Sequence, residues 1–298
     1  MKIFNMPEIA LGTVQFGMHY GITNQLGKTQ KNEAKNILEY AWKNGINTLD
    51  TASSYGNSEE VLGEVIDIDN DWKIITKIPD IKSNSIGIKH INQMLDSFKS
   101  SLSKLKKESI YGLLLHNCNN IFLPGGEKIF EAMQQLKKDG FIKKIGVSLY
   151  DREQINYLLS NYPVDLVQIP INILDQRLID GGELKKLKKQ EVEIHARSVF
   201  LQGLLLSPQE ILPLSFKPLL EKVKAFHQEA NRRNISAIQL SLGFVKSIKE
   251  IDKVVLGINT LEHLYEVVNL ENINFDITEF SHLKVDDKTL LNPSNWKV

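Results

Sequence analysis

The chain is 298 residues long and 42% hydrophobic, enough to bury one large core, so a single domain over residues 1–298 is expected. Lys and Arg number 36 and Asp and Glu also number 36, a balance that argues against nucleic acid or an anionic membrane surface as partner. Cys118 is the one cysteine, which excludes an internal disulfide.

Pro7 and Glu8 fall where a secretory signal would need an unbroken apolar run. No stretch approaches the roughly 20 apolar residues of a membrane span. Even Val199 to Leu206 is short and is broken by Gln202 and Gly203. A cytoplasmic location is expected, and nothing in the sequence sets an oligomeric state.

In chain order, short apolar runs alternate with longer amphipathic ones. Ile9 to Gly12 reads as a strand, then Lys31 to Asn44 as a helix that stops at Asn44-Gly45. Thr48 to Asp50 is the second strand, Ser58 to Ile66 a helix, Lys73 to Thr76 the third strand and Ile86 to Leu105 a helix. Tyr111 to His116 follows as a strand and Lys128 to Asp139 as a helix, ended by Asp139-Gly140. Lys144 to Val147, Leu166 to Ile169, Glu193 to Ala196 and Lys253 to Leu256 complete the strands, with a further helix at Pro218 to Arg233. Ile171 to Gly182 is the main candidate for a long connecting loop.

Eight strands alternating with helices predict a (β/α)8 barrel, whose site forms at the C-terminal ends of the strands. In such a barrel Asp50 closes the second strand, Lys77 follows the third and His116 ends the fourth. The fold would thus gather polar groups distant in sequence at one mouth.

The run Asn47-Thr48-Leu49-Asp50-Thr51-Ala52-Ser53-Ser54-Tyr55-Gly56, continuing to Glu60-Val61-Leu62-Gly63, closely resembles the signature region of the aldo-keto reductase superfamily. Lys77 in Ile74-Ile75-Thr76-Lys77 and His116 in Leu113-Leu114-Leu115-His116 also fall where that family places a lysine and a histidine. The resemblance spans nearly the whole chain and implies reduction of an aldehyde or ketone by a nicotinamide cofactor. The chemistry of the residues agrees. Hydride addition to a carbonyl develops negative charge on oxygen, which needs a proton donor and hydrogen-bonding groups already aimed at it. Tyr55 would give the proton. Lys77 would lower the tyrosine pKa, Asp50 would hold Lys77 charged, and His116 would orient the carbonyl. Any one of these residues taken singly reads as an ordinary strand-end polar group; four in order do not.

No Gly-x-Gly-x-x-Gly follows a strand, so a Rossmann site has no support. The resemblance instead implies that Gly12, Thr13, Val14 and Asp50 line the nicotinamide ribose side, with Ser148 and Gln168 on the carboxamide. Leu149 stands where relatives carry Asn. Arg197 replaces a usual tyrosine in the run through Ser198, Gln202 and Gly203, and would stack on a ring or grip the pyrophosphate; its bland reading is a solvated loop arginine. Gly257, Asn259, Thr260, His263 and Glu266 resemble the adenosine-phosphate loop and its helix, without the basic residues that commonly hold a 2′-phosphate, and Val267 takes a usual Asn position. NADP(H) is favoured from the family, with NAD(H) possible.

No His-x-x-x-His or Cys-x-x-Cys spacing occurs, so no metal is expected. Cys118, two residues after His116, is read as filler of apolar space rather than a nucleophile, and Lys185 to Lys189 as a solvated helix face. Met18, His19 and Tyr20, and Asn172 to Arg177, are candidates for the substrate mouth, whose polar content suits a sugar-like, small-molecule carbonyl compound. The competing readings are a slow cofactor-sensing subunit of a larger assembly, and a barrel isomerase or hydrolase, which would need its own acid–base pair.

Overall fold

In the computed structural model, which describes residues 6–67, 69–207, 217–292 and 296, eight parallel strands close into a barrel in chain order. They are β1 (Glu8–Gly12), β2 (Thr48–Asp50), β3 (Lys73–Ile78), β4 (Ile110–Leu115), β5 (Ile142–Ser148), β6 (Leu166–Pro170), β7 (Glu193–Arg197) and β8 (Lys253–Gly257). Helices such as Lys31–Lys43, Ile88–Leu105, Glu127–Lys138 and Leu261–Val268 run between them. The fold is the (β/α)8 barrel that the alternation predicts.

Side chains alternate across a strand, and this sorts each strand into an outer and an inner face. Along β3, Ile74 and Ile78 join the large cluster packed against the helices. Ile75 instead meets Leu114 and Leu166 in a separate small cluster, the filling of the barrel interior. Each such fully buried side chain contributes roughly 1.5–3 kcal/mol of transfer free energy. Two residues further on, each of these strands reaches the mouth: Lys77 follows Ile75, His116 follows Leu114, and Gln168 follows Leu166. At the opposite end the interior is polar, where Glu193 accepts from Tyr111 Oη at 2.7 Å and pairs with His195 and Lys144.

Parallel pairing sets Gly12 beside both Asp50 and Gly257, Lys77 beside Leu114, Ser148 beside Gln168, and Gln168 beside His195. Most boundaries shift by one or two residues from the sequence reading, and strand β4 ends at Leu115, so His116 lies just past it rather than at its end. Strand β3 runs on to Ile78, so Lys77 lies within it rather than after it. The helix read from Ile86 begins at Ile88, because Gly87 is extended and Ile86 is buried with its N–H on Pro124 O. The stretch from Ile171 to Gly182 holds a helical turn, Arg177–Asp180, and Asn172 Oδ1 accepts the N–H groups of Leu174 and Asp175 at 2.9 Å each. Among the described residues no helix is long and apolar enough to cross a membrane.

Candidate active site

The C-terminal mouth of the barrel opens into a cleft of about 660 Å3 lined by Asp50, Tyr55, Lys77 and His116 together. Lys77 is the electrostatic centre. Its ammonium is buried and donates to both Asp50 oxygens, at 2.8 and 2.7 Å, and to Thr51 O at 2.8 Å. Three acceptors match its three N–H groups, which offsets the cost of taking this pair out of water. Gln168 Nε2 also donates to Asp50 Oδ1. Lys77 Nζ lies 5.1 Å from the centroid of the Tyr55 ring, and the Tyr55 and His116 rings meet edge to face at 5.9 Å.

Tyr55 is carried by a loop rather than a strand, and backbone contact fixes that loop. A Cβ on Gly17 would fall on the Tyr55 carbonyl, and one on Gly56, whose φ is +57°, on the Gly17 carbonyl. The loop approaches so closely that only glycine fits at both positions. Ser58 Oγ donates to Thr13 O at 2.8 Å, and the Thr13 hydroxyl donates to Asp50 O at 3.0 Å. Thr13 therefore holds Asp50 and the Tyr55 loop in register.

Burial, and then the Asp50 carboxylate, hold the Tyr55 phenol above its ordinary pKa. The net shift runs opposite to the lowering expected from Lys77, because burial and the Asp50 carboxylate that grips the ammonium outweigh it. Burial likewise pulls Lys77 below the usual lysine value, with Asp50 opposing. Burial, helped by Lys77, lowers His116 to about 4. Near neutrality the mouth thus presents a protonated phenol and a neutral imidazole, one ring nitrogen of which can donate a hydrogen bond. Burial raises Cys118 to about 12, consistent with a space-filling thiol.

Gly12, Thr13, Val14, Ser148, Gln168, Ser198, Gln202, Gly203, Gly257, Asn259 and His263 line the same cleft. Thr260 and Glu266 do not: Thr260 caps the helix Leu261–Val268, accepting from His263 N–H at 3.2 Å, and Glu266 is exposed further along it. Of the Met18 to Tyr20 group, Tyr20 lines the cleft, its hydroxyl accepting from Gln202 Nε2 at 3.0 Å. Asn172 to Arg177 turns inward and takes no part in the lining, since its polar groups serve one another and Gln176 reaches Phe280 O.

Arg197 is not a solvated arginine. Its guanidinium carbon sits 4.4 Å from the centroid of the Tyr150 ring, it donates to Ser198 Oγ at 3.3 Å, and Nη2 is buried without a hydrogen-bond partner. Tyr150 and Gln15 are cleft residues that the sequence reading missed. Tyr150 had a signal, since it shares a face with Ser148 while Leu149 between them is buried in the core. Gln15 packs against Gly257, and its Oε1 is buried without a partner, as is Gln168 Oε1. The segment from Ser198 to Gly203 is strained, with positive φ at Ser198, Leu201 and Gln202, each costing about 1–3 kcal/mol.

Residues 8–285 match the family described as Aldo/keto reductase family. An uncharacterized oxidoreductase of Bacillus subtilis (strain 168) is 25% identical over 289 residues, covering 90% of this chain and 88% of that protein. A D-arabinose 1-dehydrogenase of Saccharomyces cerevisiae is 24% identical over 261 residues, 78% of this chain and 77% of that one. Among solved structures, the holo form of an aldo-keto reductase from Bacillus halodurans shares the fold with a TM-score of 0.73 at 19% identity, covering 93% and 91% of the two chains. With its sequence matched almost end to end and its barrel shared, the chain belongs to the aldo/keto reductase family and is an NAD(P)H-dependent oxidoreductase.

Proposed function

We propose that this enzyme reduces a small aldehyde or ketone, of hydroxylated or sugar-like kind, to the alcohol, with Tyr55 as proton donor. The observation that carries the reading is the Asp50–Lys77 pair beneath the Tyr55 ring, with His116 edge-on beside it. The residues present suit a nicotinamide dinucleotide. Gln168 Oε1 and Arg197 Nη2 are buried groups without partners on the cleft wall, fit for a carboxamide and for a ring face or phosphate. An added Cβ at Gly257 would strike the Gln15 amide, so glycine there lets Gln15 lie flat against the cleft wall.

When bound, a reduced nicotinamide dinucleotide would supply the hydride, held by Gln168 and Arg197 on the cleft wall. Neutral His116 donates a hydrogen bond to the carbonyl oxygen and orients it. Tyr55 Oη–H transfers its proton to that oxygen as negative charge builds there, a contribution of about 10²–10⁴ in rate for a positioned acid. The phenolate left behind is stabilised by the Lys77 ammonium under its ring and regains a proton from solvent. Gln25 and Gln202 in the cleft lining offer hydrogen bonds to a hydroxylated substrate, and the yeast relative is named for a sugar.

The test is oxidation of NADPH and NADH by wild type and Tyr55→Phe protein across aldehydes, hydroxylated aldehydes and keto sugars. Turnover by wild type and its loss in Tyr55→Phe, with cofactor binding kept, is expected. Equal rates would remove Tyr55 as the acid, and cofactor binding without turnover of any panel member would favour a sensing role.

A further inference from the structure

The chain after β1 reaches over to the segment after β7. It leaves Gly17, whose backbone lies against the Tyr55 loop, and carries Tyr20 into the lining of the cleft beside Tyr55. Asn24 fixes the shape of this stretch: Nδ2 donates to Tyr20 O at 3.0 Å and to Gly27 O at 2.9 Å, and Oδ1 accepts from the Leu26 and Gly27 N–H groups. On the other side Ile22 N–H donates to Gln202 O at 3.2 Å. Thr23 packs so closely on Gly203 that a Cβ there would fall 2.1 Å from Thr23 Oγ1.

Gln202 then sets the Tyr20 hydroxyl. Its φ of 55° and ψ of 27° are left-handed, a conformation that a non-glycine residue adopts only at a cost. In that conformation its Nε2 donates to Tyr20 Oη at 3.0 Å. A phenol oxygen that accepts an amide proton keeps its own O–H for another partner, and among the described residues no acceptor takes it. The residue is 39% exposed, yet its phenol faces inward: burial, and then Tyr55, raise its pKa above the ordinary value, so it stays protonated near neutrality. Strain is thus spent on aiming a second phenol, with a proton to give, into the part of the cleft that holds the first.

We propose that Tyr20 is a specificity-determining residue that donates its O–H to a hydroxyl on the carbon next to the reacting carbonyl, which makes 2-hydroxy aldehydes and ketones the preferred substrates. The inference rests on the carbonyl reduction proposed above and names the second group that the substrate carries. Tyr55 serves the carbonyl oxygen, and Tyr20, from the adjoining loop, serves the neighbouring one. Gln202 Oε1, which the contact with Tyr20 leaves free, takes the proton of the same substrate hydroxyl. An alkyl group in that place leaves both protein groups unpaired, and an enclosed site built to bond a hydroxyl rejects the analogue that lacks it.

Reduction of 2-hydroxypropanal, 3-hydroxypropanal and propanal at saturating cofactor, by wild type, Tyr20→Phe and Gln202→Leu, tests this. In wild type, kcat/KM is expected to favour 2-hydroxypropanal over the other two by about tenfold, the order of one hydrogen bond made or left unmade. Tyr20→Phe removes only the hydroxyl and should erase most of that ratio, with a far larger loss on 2-hydroxypropanal than on propanal. Gln202→Leu should lower the same ratio by less, and it keeps the test open should Tyr20→Phe not fold. No preference for the 2-hydroxy compound in wild type would overturn the proposal. Equal losses on all three aldehydes in both variants would also overturn it, since a tyrosine that only latches the loop acts on every substrate alike. Turnover of none of the three by wild type would instead remove the function on which the proposal stands.

Discussion

The Lys77 ammonium lies 5.1 Å from the centroid of the Tyr55 ring, with its N–H groups directed at the two Asp50 oxygens and at Thr51 O. Any effect of the lysine on the phenol is therefore exerted through charge across the ring face, not through a donated hydrogen bond. In the resting site that charge is balanced by Asp50; it matters once Tyr55 has lost its proton. Lys77→Met should cut turnover by about 10²-fold or more, as loss of a charge stabiliser in a water-poor site does. It should also lower unfolding stability by about 3–5 kcal/mol, because the Asp50 carboxylate is left buried and unpaired. Urea unfolding checks the second figure, and adding Asp50→Asn should recover part of the stability while leaving turnover low. Wild-type stability in the single variant would contradict the pairing.

Under the proposed function, His116 is expected to set the acid limit. Its pKa, lowered to about 4 by burial and by Lys77, keeps the imidazole neutral well below pH 6.5, the ordinary value. The rate of carbonyl reduction should therefore hold down through pH 6 and fail only near 4. In the unfolded chain the same group binds a proton around 6.5, so between 6.5 and 4 the unfolded state holds the extra proton. His116 thus contributes stability that is present above pH 6.5 and lost as pH falls toward 4. The pH profile of kcat/KM, paired with His116→Gln, reads this directly. An acid limb near 6.5 in the wild type would show that His116 keeps its ordinary pKa in the site, whereas activity that falls as pH rises through that range would show that it works in the charged form.

Arg197 stacks on Tyr150 and keeps Nη2 buried without a protein partner. A desolvated guanidinium over an aromatic ring is worth up to about 2 kcal/mol, and its free donor adds more when a ligand acceptor reaches it. Arg197→Ala should weaken dinucleotide binding by roughly tenfold or more, a loss of at least about 1.4 kcal/mol. Arg197→Tyr, which restores a stacking surface but no charge, should weaken it less. Unchanged affinity in both variants would leave Arg197 as a packing partner of Tyr150 with no part in holding the dinucleotide.

Asp50, Lys77 and His116 were legible because each stands at or near a strand end, and alternation by two carries the strands from apolar filling to polar rim, Ile75 to Lys77, Leu114 to His116 and Leu166 to Gln168; Tyr55, on a loop, was legible from the signature run that begins at Asn47. The barrel followed from the same periodicity. What the sequence hid are pairings made by closure of the ring. Glu33 meets Leu261 across 228 positions, and Gln15 meets Gly257 where β1 joins β8. The sign of the Tyr55 shift was hidden too, since it depends on how completely Asp50 cancels Lys77. Asn172 to Arg177 looked like mouth residues because they follow β6, but Asn172 spends its side chain on the backbone of its own turn.

The placement of Tyr55 rests on two glycines that carry no chemistry. A methyl group on Gly17 would overlap the Tyr55 carbonyl and come within 2.8 Å of Ser58 Cβ, so Gly17→Ala must push the Tyr55 loop away from β1. Overpacking of this sort costs about 1–3 kcal/mol. The displaced loop also moves the phenol from its station over Lys77, and an error of about 1 Å in a reacting group can cost 10²-fold in rate. Gly17→Ala is thus expected to lower kcat far more than it weakens cofactor binding, with a fall in Tm of a few degrees. Gly87→Ala is the control, because a Cβ there meets nothing within 4 Å and φ is −120°; it should behave as wild type. Wild-type kcat in Gly17→Ala would mean that the Tyr55 loop finds its place without the contact to Gly17.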